Sequence, residues 1–415
     1  MSQSRTYSRS KRVSSAKGQK QLIGIAFLAL FLLGLILLLE RLSPAGQNKL
    51  GDQAGQVENG VKTARIMAHG DLLYHLPILW GAEQVDGSYD FSENFTYVKP
   101  WIEQADFAIA DFEGTISPDM ELAGYPLFNA PSIVASNIRD AGYDVVDLAH
   151  NHILDSHLSG LVSTVNTFRE VGVDTVGVYA EGNRSTAPIY TREVNGIRIA
   201  VLAYAYGFNG LEVLLSQEEY DGYLSDFHQE NMRAEIERAE QEADITIVMP
   251  QTGVEYQLEP TEEQTTLYRQ MIDWGADIVL GGHPHVVEPA EILEKDGQRK
   301  LIIYSMGNFL SNQRIESMED TPNAQWTERG VLMDITIQKE NGQTRIQTAQ
   351  AHPTWVNRLS KGTYSSEGYE QFAYQTYILQ DWVEGGQYYG QLDPDTQARV
   401  DVAYQEMKDF VNLNW

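Results

Sequence analysis

The sequence has no cysteine, a deficit of basic residues and a single long apolar run. Without cysteine the chain can form no disulfide and carries no thiol for a lipid anchor, a composition that suits an exported protein built without disulfides. Acidic residues number 58 against 30 basic ones, so the formal net charge is −28 at pH 7. Because a surface this acidic repels other polyanions, we expect no nucleic-acid partner.

The one long apolar run, Leu22–Leu39, has no charged residue. As a helix it is about 27 Å long, which nearly spans the hydrocarbon core of a bilayer. Residues 1–20 contain basic side chains and no acid, an asymmetry that keeps the N-terminus cytoplasmic and sends the rest of the chain outward. A cleaved signal peptide is the alternative, but its apolar region would be unusually long, and Glu40–Pro44 offers no small-x-small cleavage site. We therefore expect a single-pass cell-membrane protein with a basic cytoplasmic tail, a transmembrane anchor at 21–40 and an extracellular domain.

Beyond the anchor the composition changes from linker-like to globular. Residues 41–62 are rich in Gly, Gln and Asn and are predicted to form a flexible stalk. The short apolar runs that follow mostly lack clean alternation, which is typical of strands buried on both faces. These runs lie at Ala64–Ala68, Phe107–Ala110, Val145–Ala149, Thr175–Val178, Ile197–Ala205, Ile245–Met249, Ile278–Leu280 and Leu301–Tyr304.

Three helix-like segments end at a glycine and lead into a strand that opens with Asp. These glycines are Gly142, Gly172 and Gly275, and glycine after a last helical turn readily takes the left-handed conformation that ends a helix. Thr261–Gln264 has the pattern of a capping box that would start the last of these helices. Repeated helix–turn–strand units predict right-handed crossovers and a layered α/β domain, which we place at 63–358.

The pattern of the sequence changes near its C-terminal end. Val331–Gln338 and Thr344–Thr348 flank the turn-forming residues Glu340–Gln343 and predict a hairpin that closes the sheet. The remaining segment, 359–415, is rich in Tyr and Gln and is predicted to be a mostly helical extension.

Polar residues follow five of the predicted strands at their C-terminal ends, where α/β sheets place their sites. The five groups are His69-Gly70-Asp71, Asp111-Phe112-Glu113, His150-Asn151-His152 with Asp155, Gln251–Glu255 and Gly281–His285. Carboxylate, amide and imidazole groups together suit two divalent metals such as Mn, Fe or Zn. Histidines outside these groups are interpreted as structural or exposed residues. They are His75, His157, His228 and His352.

The order of these motifs resembles one known family. The motifs are Gly70-Asp71, Asp111–Gly114, His150–Asp155, Gly253–Tyr256, Gly281–Val286 and Tyr304–Phe309. They are similar to the motifs of the CapA family of poly-γ-glutamate capsule synthesis proteins, within the calcineurin-like metallophosphoesterase superfamily. The resemblance extends from about Ala64 to Val356 and implies a layered fold of mixed sheets flanked by helices.

The resemblance also implies roles for individual residues. Asp71 matches a metal-binding Asp, Glu113 a bridging carboxylate, and Asn151 a metal-binding amide, while His152 would face a phosphate. His283 and His285 match the ligands of a G-H-x-H motif, one for each of two metals. The implied reaction is metal-assisted hydrolysis at phosphorus, with His152 as acid or transition-state stabiliser. The full set of predicted metal ligands is Asp71, Asp111, Glu113, Asn151, Gln251, His283 and His285, and the predicted catalytic residues are His152, Asp155 and Glu255.

The sequence departs from the family pattern at several positions. Asp111 stands where the family usually has Asn, and His150 replaces the first Asn of an N-N-H motif. Gln251 replaces the His of an H-W-G-x-E motif, and an amide oxygen is a weaker ligand than imidazole for such metals. The D-x-H histidine of ordinary metallophosphoesterases is also missing, since Leu73 occupies its position. His69 could replace it only if its loop turned inward.

Three functions are compatible with these features. The first is a metal-dependent hydrolase or phosphoesterase outside the membrane, and the second is a non-catalytic component of capsule polymer assembly or export. The third is an extracellular phosphodiesterase unrelated to capsule. The expected partners are the membrane and either the capsule polymer or its membrane synthetase components. Beyond residue 20 the net charge is −34, which repels an anionic polymer at long range.

Overall fold

The computed structural model describes residues 60–411, 413 and 415. The strands are β1 (Lys62–Leu73), β2 (Phe107–Glu113), β3 (Val145–Asp147), β4 (Asp174–Val176), β5 (Thr191–Val194), β6 (Ile197–Ala205), β7 (Ile245–Gln251), β8 (Ile278–Leu280), β9 (Val287–Lys295), β10 (Gln298–Met306), β11 (Asn308–Leu310), β12 (Arg329–Glu340), β13 (Gln343–Tyr364) and β14 (Glu370–Ile378). The helices are α1 (Leu76–Ala82), α2 (Lys99–Ile102), α3 (Ile133–Ala141), α4 (His157–Val171), α5 (Gln217–Tyr223), α6 (Gln229–Glu242), α7 (Glu262–Trp274) and α8 (Pro394–Phe410).

The predicted tail and anchor, and most of the predicted stalk, lie outside the described residues. Within the range from residue 60 onward, no helix is long and apolar enough to cross a membrane.

Two mixed sheets form the framework of the domain. The first has the order β14-β13-β12-β1-β2-β3-β4, with β11 beside the end of β1, and the second has the order β5-β6-β7-β8-β10-β9. Strands β1 to β4 run parallel in the first sheet, and β6, β7, β8 and β10 run parallel in the second. The C-terminal ends of the parallel strands therefore gather at one edge of each sheet, where sites form in α/β folds.

Burial of the central strands explains their continuous apolar runs. Every residue of β2 and β7 is buried, and one apolar cluster joins side chains of both sheets, including Ile109 and Ile247. A strand covered on both faces has no polar face to alternate with. The predicted layered α/β architecture is thus confirmed.

Local signals in the sequence also produce the predicted helix boundaries. Gly142, Gly172 and Gly275 follow α3, α4 and α7 with positive φ angles, and the N–H group of each bonds back into the last helical turn. Thr261 and Gln264 form the reciprocal hydrogen bonds of a capping box at the start of α7. The hairpin of β12 and β13 turns at Asn341-Gly342, both of which have positive φ.

The prediction of a mostly helical extension over 359–415 is wrong for its first part. Strand β13 continues to Tyr364, and β14 pairs with it in antiparallel register, so the first sheet crosses the predicted domain boundary. Strand β14 buries Tyr374 and Tyr377, and aromatic side chains pack well on a sheet that offers a pairing partner. Only α8 is a long helix here, and it packs over Trp382, which stacks on Tyr377 at 3.8 Å between ring centroids.

Candidate metal centre

The predicted site residues of the two sheets meet at the C-terminal ends of their parallel strands. In the first sheet, Asp71 of β1 lies opposite Asp111 of β2. In the second sheet, Gln251 at the end of β7 forms a β-bridge with Gly282 in the loop after β8. Gln251 Nε2 lies 2.6 Å from Asp111 Oδ2 and 3.5 Å from Asp71 Oδ1, so side chains of both sheets are in direct contact.

Three side chains in this region could hold one metal ion. Asp71, Glu113 and His285 each present a ligand atom, and these atoms lie within 4.8 Å of one another. His285 Nδ1 is 2.9 Å from Asp71 Oδ2 and 3.9 Å from Glu113 Oε2, and all three side chains are buried. Asn308 of β11 adds an amide oxygen 3.2 Å from the same imidazole nitrogen. Two carboxylates and an imidazole are a donor set that suits Mn, Fe or Zn.

The centre contains more negative charge than its protein partners neutralise. Asp111, Glu113 and Asp147 are all buried, and each has at least one oxygen without a hydrogen-bond partner among the described residues. Burial, together with the neighbouring carboxylates, raises the pKa of Asp111 and of Asp147 well above the usual range, and burial raises that of Glu113 to about 7. Buried carboxylates at such short range require protons or cations. The residues present therefore fit a metal centre.

A second group of buried donor atoms also lacks partners in the described part of the chain. It comprises Asn151 Oδ1, Gln251 Oε1 and His283 Nδ1. Burial, followed by the nearby imidazoles of His285 and His152, lowers the pKa of His283 to about 3, so this imidazole is neutral and offers a lone pair. His283 and His285 both have positive φ angles, which is uncommon for non-glycine residues and typical of functional loops.

His152 lies beside the first group in a fixed orientation. Its Nδ1 is 2.7 Å from Asp155 Oδ2, which also accepts a hydrogen bond from the backbone N–H of Phe128 at 2.6 Å. The other ring nitrogen, Nε2, lies 4.0 Å from Glu113 Oε1. Burial lowers the pKa of His152, but Asp155 and Glu113 outweigh it, and the net shift is upward. The pair has the geometry of a general acid held by a carboxylate.

Three residues singled out in the sequence lie outside the group of Asp71, Glu113 and His285: the predicted catalytic residue Glu255, and His69 and His150. Glu255 is exposed and contributes only long-range charge to the buried groups. His69 does not turn inward, because its ring stacks on Phe309 at 3.7 Å and its Nδ1 lies 2.7 Å from the carbonyl oxygen of Gly70. His150 is buried, and its Nδ1 accepts a hydrogen bond from the backbone N–H of His152 at 3.2 Å, so it supports the loop.

Sequence reasoning missed other residues of the centre. Asp147 lies inside the apolar run of β3, and Asn308 belongs to the quoted Tyr304–Phe309 motif but received no role. The interpretation of His75 as a structural residue fits its contacts, since its ring packs edge-to-face on Phe128, which packs likewise on His152. Burial lowers the pKa of His75 to about 3, and the His285 and His152 imidazoles contribute to this shift.

The fold and the site together define an α/β protein of two mixed sheets with a buried carboxylate, amide and imidazole centre. A family model described as "Bacterial capsule synthesis protein PGA_cap" matches residues 65–313, and the chain belongs to this family. The family predicted from the motifs is thus confirmed.

Two curated relatives have similar sequences. The capsule biosynthesis protein CapA of Bacillus anthracis is 27% identical over 68% of this chain and 70% of its own length. The PGA biosynthesis protein CapA of Bacillus subtilis (strain 168) is 29% identical over 56% of this chain and 60% of its own length. The chain therefore spans somewhat more than half of the relatives that it matches.

Two solved structures align with this chain at low sequence identity. A phosphatase from Mycoplasma pneumoniae aligns with a TM-score of 0.42 and 13% identity, over 71% of this chain and 94% of that one. The calcineurin-like phosphoesterase YfkN from Bacillus subtilis aligns with a TM-score of 0.41 and 14% identity, over 85% of this chain and all of that one. The family assignment rests on the family model and the motifs.

Proposed function

We propose that this protein is a membrane-anchored, extracellular component of capsule polymer synthesis or export that hydrolyses a phosphoester with divalent metal ions. The observation that carries the proposal is the buried group of Asp71, Glu113 and His285 next to the His152–Asp155 pair. Metal ligands next to a held general acid are what hydrolysis at phosphorus requires.

Each residue of the pocket has a defined task in this reaction. Asp71, Glu113 and His285 would hold one cation, and Asn151 and His283 carry the free donor atoms for another. When bound, such cations lower the pKa of a water molecule and neutralise the charge on phosphoryl oxygens. His152 donates a proton from Nε2 to the leaving oxygen, while Asp155 keeps the other ring nitrogen protonated and the ring in place.

The proposed cellular role combines the family with the charge pattern of the chain. The relatives are described as a capsule biosynthesis protein and a PGA biosynthesis protein. The apolar run Leu22–Leu39 would anchor the chain with its acidic domain outside. Since an acidic domain repels a polyanion, a capsule polymer such as poly-γ-glutamate would make contact at the metal centre, or the contact would be with membrane synthetase components.

A second candidate is a non-catalytic assembly component, and Gln251 favours it. This residue occupies a position where the family has an imidazole, and its amide nitrogen hydrogen-bonds to Asp111. If Gln251 binds no metal, the pocket lacks one ligand and turnover would be lost while the family fold is retained.

The two candidates are separated by metal analysis and turnover of the purified full-length chain. We expect bound manganese and hydrolysis of bis-(p-nitrophenyl) phosphate by the wild type, and loss of both in His285→Ala. His352→Ala is the matched control, because His352 is a buried histidine that hydrogen-bonds to Gln380 and Asp334, away from this centre.

Capsule production in a deletion strain tests the cellular role. We expect the wild type and His352→Ala to restore the capsule, whereas His285→Ala does not. Restoration by His285→Ala would exclude a metal-dependent role. A wild type that restores the capsule but has no phosphodiester turnover would support the assembly function instead.

A further inference from the structure

The contact between Gln251 and Asp111 fixes which atom of the amide is available to a ligand. Gln251 Nε2 lies 2.6 Å from Asp111 Oδ2, and the Gln251 side chain is 1% exposed. Gln251 Nε2 donates this hydrogen bond. With cations bound beside it Asp111 would be ionised, and an ionised carboxylate only accepts hydrogen bonds, so the metal-loaded centre would keep the amide NH₂ facing Asp111. The amide oxygen is consequently turned away from Asp111, and it is buried without a hydrogen-bond partner among the described residues.

The backbone of Gly282 lies directly against the Gln251–Asp111 pair. A Cβ added at Gly282 would lie 2.8 Å from Gln251 Nε2 and 3.1 Å from Asp111 Oδ2. Gly282 directly precedes His283, whose Nδ1 is another buried atom without a partner in the described structure. The glycine therefore lets the Gln251–Asp111 pair sit against the chain that carries His283.

The chemistry of the free atoms indicates which cation they would accept. They are the amide oxygens of Gln251 and Asn151, the carboxylate oxygens of Glu113 and one imidazole nitrogen of His283. Amide and carboxylate oxygens from three residues with a single nitrogen favour a hard cation such as Mn²⁺ or Mg²⁺, whereas an additional imidazole would favour Zn²⁺. A carboxylate behind a ligand group orients it and raises its basicity, as carboxylates do for metal-bound histidine.

We propose that Asp111 and Gln251 act as one unit that converts the Gln251 amide oxygen into a ligand and makes this position selective for hard cations. The inference rests on the metal centre of the proposed function and adds the selectivity of one of its positions. Asp111 is then a positioning residue, since it acts through Gln251.

Calorimetric titration of the metal-stripped full-length chain with Mn²⁺ and with Zn²⁺ tests the proposal. We expect the wild type to bind two Mn²⁺ ions. Gln251→His should shift the ratio of Zn²⁺ to Mn²⁺ affinity at one position by at least tenfold toward Zn²⁺. Asp111→Asn should weaken Mn²⁺ at the same position by about tenfold, because the amide loses its anionic partner. The position formed by Asp71, Glu113 and His285 should change little, which also shows that the variants are folded.

A double-mutant cycle distinguishes a joint action of the pair from two separate effects. In a Gln251→Leu background, Asp111→Asn should have no further effect on Mn²⁺ affinity, since Asp111 acts only through the amide. Equal Mn²⁺ binding by the wild type and Gln251→Leu would overturn the inference and leave the metal centre intact. A wild type that binds neither metal would overturn the proposed function together with the inference, so the two failures are distinguishable.

Discussion

Raising the pH should destabilise the metal-free protein, and the reason lies in His285. Burial lowers the pKa of this imidazole, but Glu113 and Asp71 outweigh burial and raise it from 6.5 to about 9. Between these two pH values the folded protein holds a proton that the unfolded chain has released. The stabilisation by His285 is therefore complete below pH 6.5 and is lost as the pH rises toward 9.

The size of the effect follows from the two pKa values of His285. The difference between 6.5 and about 9 corresponds to about 3 kcal/mol of unfolding free energy, of which about 2 kcal/mol is lost between pH 6.5 and 8.5. Burial also raises the pKa of Glu113 to about 7 and that of Glu288 to about 8, and both shifts act in the same direction in this range. The neutral buried histidines with lowered pKa, such as His283, titrate below pH 6.5 and leave this window unaffected.

Urea unfolding in a chelator at pH 6.5, 7.5 and 8.5 measures this loss. We expect the wild type and His352→Gln to lose stability across the range, and His285→Gln to lose about 2 kcal/mol less. Excess Mn²⁺ should abolish the loss in the wild type, because the metal replaces the proton and binds better as the pH rises. A chelated wild type that is equally stable or more stable at pH 8.5 would refute the reasoning.

Three further predictions concern single positions. Asp155→Asn removes the carboxylate that holds His152, so turnover should fall about 100-fold while the metal content is unchanged. An unaltered pH–rate profile of this variant would contradict the role assigned to Asp155. Gly282→Ala places a methyl group against the Gln251 amide, so the Mn²⁺ affinity measured by calorimetry should fall at least tenfold. The circular dichroism spectrum should stay unchanged, and an equal Mn²⁺ affinity would show that the amide is no ligand. Thr261→Ala should lower the unfolding free energy by about 1 kcal/mol, because the capping box is lost, whereas Thr261→Ser keeps the hydroxyl and should not. Equal losses of the two variants in urea unfolding would show that the capping box is not the cause.

Features that depend on neighbouring residues were predictable from the sequence. Helix ends at Gly142 and Gly275 need only a left-handed residue after the last turn, and the β12–β13 hairpin needs only its turn residues. The convergence of Asp71, Glu113 and His285 was also predictable, although they are far apart in sequence. Parallel strands bring their C-terminal ends to one edge, so a polar group after each strand predicts a shared site.

Features that depend on distant partners were decided only by the tertiary structure. Strand β14 was predicted to be helical although its Tyr residues favour strands, and this preference takes effect through the pairing with β13. Asp147 looked like part of a buried strand until the fold placed it beside Asp111 and Asp71.

The amide of Gln251 combines a feature that the sequence shows with one that only the tertiary structure decides. Its residue type and its place at a strand end could be read from the sequence, and both indicated a weakened ligand. Which atom of the amide faces the centre is decided by Asp111, a residue 140 positions away in the chain. The sequence alone thus determined most of the side chains that reach the site, because a polar residue that follows an apolar strand can be recognised locally. Their hydrogen bonds and protonation were decided only in the folded molecule, because these depend on distances across two sheets.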